Sequence, residues 1–272
     1  MNVKTALEAL GLPHALVACA DGSIDPPICT LQAPAEWYGF PPALIPIWSD
    51  GSRPTYIGYW KHWFVDREPT FVKMYVGSDR MTVEIARTPE QLMAVLAMMS
   101  MSLEEGVTPE LEQFAKAVGL DCLGALDAQS LKSGDDPKGF ANVEPFKTLT
   151  PLASVADGVT RYTGNFPNPS APAPDWWESS CYFEVVDEHM PVPKGVELPA
   201  WFDPEREKKP LFEAYMQAGR LDCAWLTLNS TGWSIADARQ ALVALQARAG
   251  DERFDKVVDY WLSIADLDAG GY

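Results

Sequence analysis

A chain of 272 residues, 47% hydrophobic and 22% charged, holds enough apolar material for one large domain or two small ones, and its 10 Trp, 11 Phe and 9 Tyr exclude disorder of the whole. Its formal net charge of −17 disfavours polyanionic partners: nucleic acid is gripped through Lys and Arg contacts to phosphate, and an anionic membrane surface repels the same field. Such acidity either keeps a protein soluble or draws in a basic protein partner.

Residues 1–12 read as a short amphipathic helix, with Val3, Ala6, Leu7 and Leu10 on one side and a stop at Gly11 and Pro13, rather than as a signal peptide. Residues 14–87 read mainly as strands and turns. Runs rich in β-branched and aromatic residues cover 44–48, 55–60, 70–76 and 81–86. The turn sequences Ser49-Asp50-Gly51-Ser52, Asp66-Arg67-Glu68-Pro69 and Gly77-Ser78-Asp79 divide them. Spacing this short predicts hairpins and an antiparallel sheet.

A helix follows, with Thr88 as N-cap, Pro89 as first helical residue and Gln91 as the reciprocal capping-box partner. Leu92, Val95, Leu96 and Met99 share one face. The methionines Met93, Met98, Met99 and Met101 read as core filling, the alternative being an adaptable groove. Thr108-Pro109 opens a second helix, which buries Leu111, Phe114, Ala115 and Val118 and closes at Gly119. The segment 114–122 echoes 215–223, each a helix end leading into a possible strand. The prolines of 166–174 predict a surface loop or linker, and 181–186 a strand. The C-terminal part reads as helices over 210–218, 234–249 and 251–265. The last of these buries Phe254, Val257, Val258, Trp261 and Leu262.

Chemistry-bearing patterns are sparse. The five cysteines (Cys19, Cys29, Cys122, Cys181, Cys223) form no CxxC pair, which points to reduced thiols and a cytoplasmic protein. No run of about eighteen apolar residues predicts a membrane span. His14, His62 and His189 belong to no metal-binding spacing, and Asp187-Glu188-His189 reads as a solvated turn. No GxSxG elbow and no glycine-rich phosphate loop is present, and Asp21-Gly22-Ser23-Ile24-Asp25 lacks the ligand spacing of a calcium loop. Neither a metal nor an organic cofactor is expected. Paired catalytic carboxylates are defined by geometry, so a linear reading leaves them open.

Two acidic stretches stand out. Residues 103–144 hold Glu104, Glu105, Glu110, Glu112, Asp121, Asp127, Asp135, Asp136 and Glu144 against Lys116, Lys132 and Lys138. Residues 251–268 hold six acids against Arg253 and Lys256. Each is either a solvated helix face or a docking surface for a basic partner. The candidate partner-binding residues are Glu104, Glu105, Glu110, Glu112, Asp135 and Asp136. Trp48, Trp60 and Trp63 compete with them, because exposed Trp anchors interfaces and buried Trp fills cores.

Residues 44–99 resemble the SUKH superfamily, through Leu44-Ile45-Pro46-Ile47-Trp48-Ser49-Asp50-Gly51, then Tyr56-Ile57-Gly58-Tyr59-Trp60, then Val83-Glu84-Ile85-Ala86-Arg87-Thr88-Pro89-Glu90-Gln91-Leu92. In that family a strand ending in an Ile-Pro-Ile-like run leads through a turn to a second strand, and a later strand enters a capped helix. The resemblance covers about a fifth of the chain and rests on packing positions. The chain is longer than a minimal SUKH domain and lacks the family's glycine-rich turn. The resemblance implies a SUKH-like α+β domain over 1–150. Residues 151–272 follow as a Pro-rich connection and a mainly helical region, either separate or packed as one domain with the first.

The expected fold is therefore α+β, a twisted antiparallel sheet with packed helices and a helical C-terminal region. The function the resemblance implies is that of a cytoplasmic bacterial immunity protein. It would bind and neutralise a toxin, such as a nuclease, from a polymorphic-toxin, contact-dependent or type VI secretion system, without catalysis of its own. A non-catalytic adaptor on the same fold and a hydrolase with a dispersed carboxylate site are the alternatives. No nucleic-acid or membrane partner is expected.

Overall fold

The computed structural model describes residues 2–34, 39–51, 55–65, 69–76, 81–134, 137–147, 200–203 and 205–272. The expected linker over 166–174, the strand over 181–186 and the Asp187-Glu188-His189 turn lie outside them. Among the described residues are nine α-helices and one four-stranded antiparallel sheet, an α+β fold.

Helix α1 (Val3–Ala9) is capped by Asn2, whose side chain accepts from Thr5 N. The next element departs from the sequence reading: His14–Ala20 is a helix, α2, and not a strand. Seven residues with a near-continuous apolar run carry no periodicity that separates helix from buried strand. The four strands then appear where their composition places them, β1 (Leu44–Asp50), β2 (Thr55–Trp60), β3 (Thr70–Tyr75) and β4 (Met81–Ala86), paired in sequence order as a meander. A bulge between Pro46 and Trp48 shifts the β1–β2 register. It also explains Gly58: a Cβ there would lie 2.5 Å from Ile45 O, a separation no side chain tolerates.

Strand β4 turns directly into α3 (Pro89–Glu104). Thr88 Oγ1 accepts from Gln91 N at 3.2 Å, while Gln91 Oε1 accepts from Arg87 N at 2.9 Å, one residue earlier than a capping box places it. Beside this turn the buried Glu84 carboxylate accepts from Thr70 Oγ1 at 2.6 Å and from Arg87 Nε at 3.2 Å, tying β3, β4 and the helix start together. Helix α4 (Pro109–Val118) begins at its Thr108 cap and ends at Gly119, φ 72°; Leu111, Phe114 and Ala115 are buried. Helix α5 (Leu123–Ser133) and helix α7 (Leu221–Leu228) occupy the places where the two echoing segments suggested strands. Both echoes are helix–turn–helix junctions.

Helix α6 (Lys208–Gln217) precedes α7. Then α8 (Ile235–Ala249), capped by Ser234, leads through Gly250 into α9 (Glu252–Ile264), capped by Asp251. Phe254, Val257, Val258 and Trp261 of α9 are buried as their spacing predicts, and Leu262 is half-buried. These helices share the core of the sheet. Phe254 meets Trp63, Phe64 and Trp225 at ring-centroid distances of 5.0, 5.3 and 5.7 Å, and α9 packs against α1. Phe64 holds a left-handed backbone, φ 64°, within this aromatic cluster.

Two polar contacts lock the run-in to β1 against the C-terminal helices. Ala43 N donates to Asn229 Oδ1 at 2.7 Å, and Trp261 Nε1 donates to Phe40 O at 3.0 Å. Asn229 is fully buried and spends its amide N–H on Trp225 O. Replacing Asn229 by Ala orphans the buried Ala43 N–H and should lower stability by about 1–3 kcal/mol in urea denaturation. A change within a few tenths would show that water reaches that N–H. Thr88→Ala, which removes only a cap, should cost about 1 kcal/mol.

Candidate functional site

Helices α3, α4 and α5 form one layer, with α3 packing against both α4 and α5. Residues at the start of α3 and at the end of α4 line a common cleft, so α4 runs back along α3. The layer thus has two ends.

At one end is the acidic corner. Glu104 is the last residue of α3, Glu105 follows it, and Glu110 and Glu112 stand in the first turn of α4. All four are exposed, beside Leu103 at 64% exposure, and none makes an ion pair with another described residue. Glu110 and Glu112 suit the positive end of a helix dipole. Glu104 and Glu105 do not suit theirs: the last turn of α3 holds no basic residue, and two carboxylates crowd its negative end. Glu105 also adopts a left-handed backbone, φ 57°, where glycine or asparagine is ordinarily preferred. Both the field and the backbone there oppose glutamate.

The second acidic stretch is used differently. Asp251 caps α9 through Arg253 N and Phe254 N and pairs with the Arg253 guanidinium, whose hydrogen bond holds the Asp251 carboxyl below its ordinary range. Asp259 accepts from Gln246 Nε2, and Asp266 caps the short turn that follows α9. Half of its six acids therefore serve the local fold, whereas Glu104 and Glu105 have no such work among the described residues.

The other end of the layer opens into a cleft of about 280 Å³ between α2, α3, α4 and the start of α5. Leu16, Met93, Val118 and Leu120 supply apolar lining, and Glu90, Asp121 and Glu144 bring exposed carboxylates to it. Cys122 also lines the cleft. Burial raises its thiol above the ordinary range, and the charges of Asp121 and Glu144 raise it further, so it is a poor nucleophile at neutral pH.

Of the residues singled out from sequence, Glu104, Glu105, Glu110 and Glu112 are exposed on either side of the turn from α3 to α4, while Asp135 and Asp136 lie outside the described residues. The tryptophans are corrected. Trp48 and Trp60 are fully buried and Trp63 is 7% exposed, so exposed interface anchors they are not. β1 is buried over nearly its whole length, which takes in Trp48. Trp60 Nε1 donates to His62 Nε2 at 3.2 Å, and Trp63 packs on Phe254 with Lys61 Nζ over its ring. The cleft was invisible to sequence reasoning: Leu16, Met93 and Asp121 are far apart in the chain. The nearest available signal was Met93, assigned to core filling, which is 4% exposed and still borders the cleft.

The chain matches no protein-family model, no curated protein and no solved structure. No group of three or more His, Cys, Asp or Glu side chains suited to a metal ion occurs among the described residues, and no helix there is long and apolar enough to cross a membrane. His14 is exposed at the start of α2, and His62 is a buried acceptor. The four described cysteines are free.

The strain at the corner can be measured directly. Glu105→Gly should raise stability by about 1 kcal/mol, through relief of the left-handed backbone and of the charge at the helix end. A loss of stability would mean that the Glu105 side chain holds the corner together.

Proposed function

We propose that this protein is an immunity protein that binds a basic protein toxin and blocks it, with the corner of Glu104, Glu105, Glu110 and Glu112 as its docking surface. One observation carries the reading: four exposed carboxylates, with no ion-pair partner among the described residues, flank the turn from α3 to α4, where two of them work against the stability of the fold. Residues that oppose folding are retained where function needs them. The resemblance of residues 44–99 to the SUKH superfamily supplies the functional class. The net charge of −17 supplies the long-range attraction that speeds encounter with a basic enzyme, and an acidic surface laid over a phosphate-binding cleft would occlude a nuclease. The protein acts as a stoichiometric inhibitor in the cytoplasm, without a cofactor.

The test compares the native chain with a variant carrying Glu104→Gln, Glu105→Gln, Glu110→Gln and Glu112→Gln. Affinity purification from the host with mass spectrometry should recover a basic toxin with the native chain. The variant should associate with it at least tenfold more slowly at low salt, and added salt should narrow the gap. Co-expression should relieve the toxin's growth arrest for the native chain more than for the variant. Equal on-rates with equal salt dependence, from an equally stable variant, would refute the acidic corner as the interface.

A further inference from the structure

The cleft at the far end of the α3–α4 pair combines two features that a packing defect does not require together. Its lining is apolar, with Leu16 from α2, Met93 from α3, Val118 from α4, and Leu120. Its charged members among the described residues are of one sign: Glu90, Asp121 and Glu144 contribute carboxylates, and no described Lys, Arg or His is among the lining residues. Along the chain His14 stands next to lining residues, and Arg87, Lys116 and Lys147 each stand two residues from one, without being among them. The end of α4 at Val118 and Gly119 adds the negative pole of a ten-residue helix, and Glu90 offsets the positive pole of α3. At about 280 Å³ the cleft falls just below the 300–1,000 Å³ range of sites for drug-sized ligands, a size for one long side chain and not for a cofactor.

We propose that this cleft receives an arginine side chain of the protein partner, its methylene stem against Leu16, Met93, Val118 and Leu120 and its guanidinium among Glu90, Asp121 and Glu144. The inference rests on the reading of the protein as a binder of a basic partner, and charge complementarity names the occupant. Long basic side chains bury their stems along apolar surface and keep their heads among polar groups. A planar guanidinium with five donors can serve several carboxylates at once, which an ammonium does with fewer donors. The ten residues of α4 separate cleft and corner by about 15 Å, so one partner surface of standard size covers both.

The experiment uses the full chain with labelled methionine methyls and three probes: the capped tripeptide acetyl-Gly-Arg-Gly-amide, its citrulline counterpart, and spermidine. Citrulline keeps the stem and shape of arginine without the charge. The arginine peptide should shift the Met93 methyl resonance and saturate at millimolar concentration, with the citrulline peptide at least tenfold weaker. A Glu90→Gln, Asp121→Asn, Glu144→Gln variant should bind the arginine peptide about tenfold more weakly than the native chain, three partly screened charges being lost. Equal shifts with both peptides, no shift at Met93, or an unaffected variant would each overturn the proposal. Saturation by spermidine at a hundredfold lower concentration than the arginine peptide would also overturn it, assigning the cleft to a free polyamine. The corner glutamates are intact in this variant and the probes contain no toxin. Failure here therefore leaves the docking corner standing, and failure of the corner leaves the cleft result standing.

Discussion

The buried run-in to the first strand is the constraint on which the rest of the structure depends. Residues Phe40 and Ala43 sit in the core, where a backbone N–H or C=O without a partner costs as much as a lost hydrogen bond. Their partners are side chains 186 and 221 residues further along, Asn229 and Trp261. The meander therefore begins in the right place only when the C-terminal helices are docked. Phe254 then fills the space among Trp63, Phe64 and Trp225, and burying one such ring contributes roughly 1.5–3 kcal/mol. The C-terminal helices thus complete the core that the sheet begins.

From that anchored sheet, order passes to the helical layer through a polar junction. Glu84, Thr70, Arg87 and Gln91 link two strands to the first turn of α3. Breaking such a buried charge pair on one side leaves an uncompensated charge, so it specifies geometry more firmly than it adds stability. It fixes where α3 points, and hence where the corner and the cleft lie. The inner faces of α3 and α4 carry the apolar contacts, Leu92, Leu96, Leu111 and Phe114 among them, which leaves the outer faces to charged residues, acidic apart from Lys116.

The two acidic stretches show why charge counts alone do not identify a surface. In linear terms they are equivalent: both are helical and acid-rich. Capping geometry separates them, because an N-cap aspartate such as Asp251 earns its place locally. A glutamate beyond a helix C-terminus in a left-handed conformation does not. The sign of the helix dipole at each carboxylate is a property of helix direction and boundaries, which the caps Thr88 and Thr108 make legible before any contact is known.

The sequence by itself determined the local structure. β-Branched runs, turn residues, two Thr-Pro helix starts and glycine stops mark four strands, α3, α4 and three of the C-terminal helices, because these choices are made within a few residues of chain. It left α2, α5 and α7 unmarked, since the short apolar stretches of α2 and α7 fit a helix and a buried strand equally well and α5 buries only Leu126. Only the tertiary structure decided which residues face inward and which meet. Trp48, Trp60 and Trp63 went to the core because helices and neighbouring strands enclose the hairpins that carry them, a fact of packing and not of pattern. The cleft arose because α4 folds back along α3 and brings Asp121 and Glu144 to Leu16 and Met93. Distances of that kind belong to the folded chain, where separation in space no longer follows separation in sequence.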